Sequence, residues 1–287
     1  MHAPVRSIPY ATRSDGVLAW IRRHPLLAFF VLAFALTWAI EIPMQVFQLA
    51  ALQLVVGWMP GLTALLVAGA GEGRGGIRTL LRGLLLWRVG IQWYALALVG
   101  FLVLWFVPQA LNPAFGGSGV HPPVLSLAVL VGFVGMLVVR MLLNSEELAW
   151  SGFALPRLQA RQSALAASLL LGLIWAVWHL PLFFTPGSQR DLGFALFLAG
   201  TVCTRVVLTW AFNSTGGSVL LCSLLHQSIN TWTDLLAPLV PPADQVLNQR
   251  LGLGLDLAVV LVLVIIVGAS RLAHTPGALD SEAVAHA

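Results

Sequence analysis

Five polar residues between positions 144 and 230 have side chains that can do chemistry inside an otherwise apolar chain. They are the adjacent pair Glu146 and Glu147, then His179, and then His226 with Asn230. Titratable side chains at membrane depth cost several kcal/mol, so intramembrane acids and histidines indicate a functional site. The rest of the chain is interpreted as the scaffold that positions them.

These residue types suit the hydrolysis of an acyl or peptide bond by an activated water. Glu146 can serve as the general base, and the imidazole of His179 can orient the water. His226 and Asn230 can donate N–H groups to the oxyanion of a tetrahedral intermediate. Alternatively, Glu146, His179 and His226 can bind a divalent metal such as zinc, which activates the water instead. The residue types leave both chemistries open.

The spacing of these residues predicts which of them share a helix face. His226 and Asn230 are four residues apart, so both project from one face of a helix. Glu146 and Glu147 are adjacent and about 100° apart around a helix, so only one can face a given point. We place Glu146 inward with Glu147 supporting it, although the sequence also allows the reverse. At the usual rise per residue, Glu146 and His226 lie about 15 Å from the inner face and His179 about 16–24 Å from it.

The composition indicates the class of protein that must hold these residues. The chain has 287 residues, of which 59% are hydrophobic and only 9% charged. Its mean hydropathy is +0.89, far above that of an ordinary soluble domain. Cys203 and Cys222 lie in apolar segments without CxxC spacing, which favours neither a disulfide framework nor a thiolate metal site. We predict an all-α, polytopic membrane protein.

Apolar runs of about 17–25 residues are long enough to cross a bilayer. They predict eight transmembrane helices in one bundle, near 25–43, 49–70, 91–111, 124–150, 164–184, 191–212, 217–237 and 251–270. The predicted organisation is an N-terminal tail over 1–24, a membrane domain over 25–272 with its functional core at about 124–237, and a disordered tail over 273–287.

The basic residues predict the orientation of the bundle. The net charge is +4, and all 15 basic residues are arginines. They cluster in the loops after the second and fourth predicted spans, which places those loops and both termini in the cytoplasm. We expect a bacterial plasma membrane protein. No water-exposed basic stripe is long enough to indicate a nucleic-acid partner. The arginine-rich segment 71–87 is either an interfacial amphipathic helix or a solvated basic linker.

Three ordered motifs in this chain resemble those of the CPBP family, also called Abi, of CAAX prenyl proteases and bacteriocin-processing proteins. The first is the glutamate pair in Glu146-Glu147-Leu148-Ala149-Trp150-Ser151. The second is Trp175-Ala176-Val177-Trp178-His179. The third is the pair His226 and Asn230, behind Thr215-Gly216-Gly217-Ser218.

The resemblance implies an eight-helix bundle that hydrolyses a peptide bond near the cytoplasmic leaflet. It implies that Glu146 and His179 act on the water and that His226 and Asn230 form the oxyanion site. The expected partners are the bilayer and peptide or protein substrates, including prenylated or membrane-anchored ones. Members of the family are often called metalloproteases, and a metal-free glutamate mechanism is also proposed for them.

One position departs from the family pattern. The first motif has an arginine four residues after its second glutamate, where this chain has Ser151. An arginine there could pair with a glutamate across one helical turn. Arg140, Arg157 and Arg205 are within conceivable reach as substitutes.

The departure at Ser151 keeps other functions open. One is a weakened or inactive family member that acts as a membrane immunity factor or as a peptide-binding protein. Another is a proton-coupled transporter, which also uses buried acids and histidines. Transporters of this kind usually have broken helices or paired half-repeats, and the sequence shows neither.

Overall fold

The computed structural model describes residues 13–49, 52–119, 126–184 and 193–273. Within these ranges the chain is helical and forms no strand, which confirms the all-α prediction. Residues 1–12 and 274–287, which make up most of the predicted tails, lie outside the described residues. So do residues 120–125 and 185–192, in two of the predicted outer loops.

The helices follow one another with short connections. In chain order they are α1 (Arg13–Arg23), α2 (Pro25–Val46), α3 (Met59–Arg82), α4 (Ile91–Phe115), α5 (Leu127–Leu143), α6 (Leu148–Gln159), α7 (Ala164–Trp178), α8 (Phe194–Ser214), α9 (Val219–Leu236) and α10 (Pro242–Val267). A short helical turn, Gln53–Val56, precedes α3.

The structure supports fewer membrane spans than the hydropathy runs predict. Among the described residues, four helices are long and apolar enough to cross a membrane, namely α2, α4, α8 and α10. The bent pair of α5 and α6 makes a fifth span if it counts as one. The predicted total of eight is therefore not confirmed. The helix α7, predicted over 164–184, ends at Trp178 and has only 15 residues. The several apolar spans identify an integral membrane protein.

The predicted arginine-rich segment continues the second predicted span as one kinked helix. Helix α3 bends at Gly73, whose φ of 65° and ψ of −151° are accessible to glycine and strained for other residues. Just before the bend, Glu72 forms an ion pair with Arg157 of α6, whose Cζ lies 3.8 Å from the ring centroid of Phe153. The position of this segment at a membrane interface remains a prediction.

Aromatic packing joins the helices that surround the glutamate pair. Phe29 of α2 contacts two rings of α6, with ring centroids 5.6 Å from Trp150 and 5.1 Å from Phe153. Trp150 in turn contacts Trp178 of α7 at 5.7 Å. All four side chains are buried. Because large rings bury much apolar area and prefer such tilted contacts, they fix α2, α6 and α7 against one another.

Candidate active site

The glutamate pair lies at a break between α5 and α6. Asn144 is extended, with φ of −128° and ψ of 132°, and the helices on either side are bent by 52°. Ser145 anchors the break to the start of α3: its Oγ donates to the carbonyl of Trp58 at 3.0 Å and accepts from the amide of Gly61 at 3.1 Å. The first turns after the pair have the wide i→i+5 hydrogen bonding of a π-helix, which often marks functional sites.

Gly61 makes the close approach of α3 to this break possible. A Cβ atom on Gly61 would lie 2.4 Å from the Cβ of Ser145, which is far inside van der Waals contact. We expect Gly61→Ala to lower the free energy of unfolding by about 1–3 kcal/mol, the usual cost of overpacking, because Ser145 and the neighbouring Glu146 must move. Thermal unfolding in detergent measures this change.

Gly132 of α5 supplies the matched control for this substitution. It is also a helical glycine, but an added Cβ would meet no atom within 4 Å. Gly132→Ala should leave stability unchanged or raise it slightly, because alanine favours helix. Equal effects of the two substitutions would contradict the role assigned to the contact between Gly61 and Ser145.

The carboxylate of Glu146 is held from both sides by N–H donors. The Asn144 side-chain amide donates to Oε1 at 2.8 Å, and the indole N–H of Trp175 donates to Oε2 at 2.8 Å. Glu146 also interacts electrostatically with the imidazoles of His179 and His226. The structure therefore brings the acid close to the two histidines that the sequence singled out.

Glu147 makes a different set of contacts and is fully enclosed. Its carboxylate forms an ion pair with Arg205 of α8, with Nη1 3.1 Å from Oε2, and it accepts a hydrogen bond from the Ser151 hydroxyl. Nδ1 of His226 lies 3.1 Å from Oε1, although the angle is too poor for a well-formed hydrogen bond. The supporting role of Glu147 stays a prediction. Of the three candidate arginines, Arg205 is the one that reaches the pair.

The other two candidate arginines have partners elsewhere. Arg140 of α5 forms an ion pair with Asp234 of α9, and Arg157 forms one with Glu72. Neither takes the place of the arginine that is missing at Ser151.

His179 follows the last residue of α7 and presents one ring nitrogen to the site. Its Nδ1 lies 2.9 Å from the carbonyl oxygen of Trp175. A carbonyl only accepts, so Nδ1 carries the hydrogen, and in the neutral ring Nε2 is left as an acceptor. The rings of Trp178 and Phe197 pack edge-on against the imidazole, with centroids at 4.7 and 5.3 Å, and fix its orientation.

His226 and Asn230 lie one turn apart on α9. His226 is 4% exposed, and its ring packs edge-on against Trp175 with the centroids 5.0 Å apart. Because Nδ1 is turned towards Glu147, Nε2 is the nitrogen that can reach a substrate. Asn230 is partly exposed and shares the helix face of His226, as predicted.

The donor set does not have the form of a metal site. Among the described residues, no three His, Cys, Asp or Glu side chains are grouped so that they could hold an ion. Both oxygens of Glu146 already accept hydrogen bonds from Asn144 and Trp175, which use part of their acceptor capacity. The predicted metal ligands Glu146, His179 and His226 are not grouped as a metal site among the described residues.

Glu41 of α2 is a neighbour of the site that the sequence analysis missed. It is 3% exposed and interacts electrostatically with Glu146. Its Oε2 has no hydrogen-bond partner among the described residues. Trp38, on the preceding turn, anchors α2 beside the site by donating to the carbonyl of Trp178 at 2.9 Å. The available signal was a single acid within a 22-residue apolar helix.

Two comparisons with known proteins agree with this geometry. A protein-family model for the type II CAAX prenyl endopeptidase Rce1-like family matches residues 122–232. CAAX prenyl protease 2 of Methanococcus maripaludis is 33% identical to this chain over 113 residues, which are 37% of this chain and 42% of that relative. The chain thus matches less than half the length of the relative.

The family match includes every residue of the site predicted from the sequence. Residues 122–232 contain the glutamate pair, His179, His226 and Asn230. They also contain Arg205, which the structure adds to the site. The three motifs, their assembly at one place and the family match make this chain similar, over residues 122–232, to the type II CAAX prenyl endopeptidase Rce1-like family.

Proposed function

We propose that this protein is an intramembrane endopeptidase in which Glu146 activates a water for attack on a peptide bond. The observation that carries the proposal is the Glu146 carboxylate, which N–H donors of Asn144 and Trp175 hold within electrostatic range of two imidazoles. A general base must be fixed in orientation and close to the groups that polarise the water. The family match supports the same chemistry.

In the proposed reaction, Glu146 takes one proton from the water while the oxygen of the water bonds to the carbonyl carbon of the substrate. Nε2 of His179 accepts the second hydrogen of the water as a hydrogen bond and orients it. The peptide C–N bond then breaks, and Glu146 returns its proton to the leaving amine. The immediate products are a carboxylic acid, which keeps the second hydrogen of the water, and an amine. Transfer of that hydrogen from the acid to the amine gives a carboxylate and an ammonium group, so atoms and charge balance.

The oxyanion that forms at the carbonyl oxygen is assigned to His226 and Asn230. The Asn230 amide donates directly. Nε2 of His226 must donate to the oxyanion while Nδ1 keeps its own hydrogen towards Glu147, so both ring nitrogens carry a hydrogen and the ring is an imidazolium. The Glu147 carboxylate, 3.1 Å from Nδ1, is the charge partner that this form requires. Donors fixed before the reaction stabilise the transition state more than donors that must reorganise.

The proposed substrate is a protein with a prenylated C-terminal CAAX sequence. Support comes from the name of the relative, CAAX prenyl protease 2, and from the family match. A site on helices embedded in the bilayer suits a substrate whose lipid chain is anchored in the same membrane, because the anchor confines the scissile bond near membrane depth.

An alternative is that the chain is a peptide-binding or immunity protein that has lost activity. Ser151 in place of the motif arginine favours this alternative. The ion pair between Arg205 and Glu147 weakens this argument, because it supplies an arginine to the same carboxylate although position 151 has none. A cleavage assay with a prenylated CAAX peptide separates the two functions.

The proposed hydrolysis does not depend on a metal, and metal removal tests this. We expect purified protein to contain far less than one zinc per chain, and a chelator to leave kcat/KM for a prenylated CAAX peptide unchanged within about twofold, because Glu146 is held by N–H donors rather than by a cation. Elemental analysis and the peptide assay measure both quantities. Loss of cleavage on chelation, with recovery on adding zinc, would contradict the metal-free mechanism.

A further inference from the structure

We infer that Arg205 performs the positioning role that the family motif gives to an arginine at position 151, and that it reaches the same carboxylate from a different helix. The inference rests on the proposed function, since positioning matters only if the glutamate pair takes part in hydrolysis. In this interpretation, the small Ser151 side chain leaves room for Arg205 and does not indicate a loss of activity.

The contacts of Arg205 form a closed set with Glu147 and Ser151. Nη1 of Arg205 lies 3.1 Å from Glu147 Oε2, and Nη2 donates to the Ser151 hydroxyl at 2.8 Å. That hydroxyl donates onward to Glu147. Arg205 and Ser151 are both 0% exposed. A long side chain at position 151 would occupy the space that the guanidinium fills, so the small serine and the distant arginine belong together.

A close approach between α7 and α8 brings Arg205 to this place. A Cβ atom on Gly172 of α7 would lie 2.9 Å from the Cα of Val202 and 3.3 Å from the Cβ of Arg205. The absence of a side chain at Gly172 therefore lets α8 pack directly against α7. Arg205 borders this contact and from there reaches Glu147.

One guanidinium supports both sides of the proposed site. Towards the oxyanion side, it fixes Glu147, which faces Nδ1 of His226. Towards the water-activating side, its Cζ lies 5.8 Å from the ring centroid of Trp175, and the indole N–H of Trp175 donates to Glu146. A fully buried carboxylate without a cationic partner is strongly unfavourable, so loss of Arg205 leaves Glu147 free to turn away from His226.

A reciprocal exchange of the two residues tests the inference. Wild type, Arg205→Ser, Ser151→Arg and the double variant are compared for kcat and KM on a prenylated CAAX peptide and for thermal unfolding in detergent. We expect Arg205→Ser to lower kcat by about 10²-fold, the effect of a misplaced catalytic group. Ser151→Arg alone should also lower kcat, since two guanidinium groups would share one buried carboxylate. The double variant should recover at least about tenfold over Arg205→Ser, because the two positions are coupled.

Arg140→Ser is the matched control, because it removes a partly exposed arginine of α5 whose partner is Asp234; it should leave kcat within about twofold. Wild-type kcat in Arg205→Ser would overturn the inference. A double variant that folds and is no faster than Arg205→Ser would overturn it as well. If Arg205→Ser does not fold, Arg205→Lys replaces it with the same expected order, since lysine keeps the charge but loses the fork geometry.

The design separates this inference from the proposed function. If the wild type cleaves no peptide, the proposed function fails. The four proteins are then compared by thermal unfolding alone. A higher unfolding temperature for the double variant than for Arg205→Ser supports the inference that one arginine replaces the other. No recovery overturns it.

Discussion

Replacing Glu146 with glutamine should reduce kcat on a prenylated CAAX peptide by about 10²–10⁴-fold, the range contributed by a positioned general base. The amide fills the same volume but cannot take a proton from the water. Both oxygens of Glu146 serve as acceptors, so the NH2 group of the glutamine must face an N–H donor in place of one of them. We therefore expect a modest loss of stability beside the kinetic effect. Steady-state kinetics and thermal unfolding in detergent separate the two effects.

Glu72→Gln is the matched control for that substitution. Glu72 forms an exposed ion pair with Arg157, and exposed pairs contribute little to stability. The turnover of the Glu72→Gln variant should therefore equal that of the wild type. If Glu146→Gln cleaves the peptide as fast as Glu72→Gln, Glu146 is not the base.

Replacing His226 with alanine should lower kcat by about 10²–10³-fold, the usual cost of removing one oxyanion donor, and should change KM much less. The reason is that an oxyanion exists only in the transition state and the intermediate, so its donor contributes little to substrate binding. Separate determination of kcat and KM measures this prediction.

Two further variants sharpen the test of His226. Asn230→Ala, on the same face of α9, should also lower kcat with little change in KM. His24→Ala removes an exposed histidine ahead of α2 and should have no effect on turnover. A rise in KM without loss of kcat in His226→Ala would place His226 in substrate binding and contradict the oxyanion assignment.

The sequence predicted that three of the residues at the candidate site lie close together. Glu146, His179 and His226 are polar groups in apolar segments, and counting residues from the helix ends placed them at similar depths. The structure brings these three together. Asn230 shares the helix face of His226, as its spacing predicted. The roles of these residues stay predictions until variants are measured.

The partner of Glu147 could not be predicted from the sequence. Arg140, Arg157 and Arg205 were equivalent candidates, because nothing in the order of residues says which helices touch. The contact between Gly172 and α8 decides in favour of Arg205, and such a contact depends on the packing of the whole bundle. Glu41 was missed because it lies in the first predicted span, outside the three motifs on which the site prediction was built.

The number and lengths of the spans were the least predictable features of the fold. Hydropathy treats 124–150 as one run, whereas the backbone breaks at Asn144, where the Asn144 side chain accepts from the Glu146 amide at 2.9 Å and also donates to the Glu146 carboxylate. A side chain that hydrogen-bonds nearby backbone groups competes with the helix and can end the helix at that residue. Hydropathy averaged over a window of residues does not detect such a break. The same break positions the glutamate pair.

The central claim is that a water activated by Glu146 hydrolyses a peptide bond, and mass spectrometry of the products in ¹⁸O-labelled water tests it most directly. Wild-type protein, incubated with a synthetic farnesylated CAAX peptide, should release the C-terminal tripeptide and leave a shortened prenylated peptide with ¹⁸O in its new carboxyl group. Folded Glu146→Gln protein should release neither product. No cleavage by the wild type, or equal product from the Glu146→Gln variant, would contradict the account.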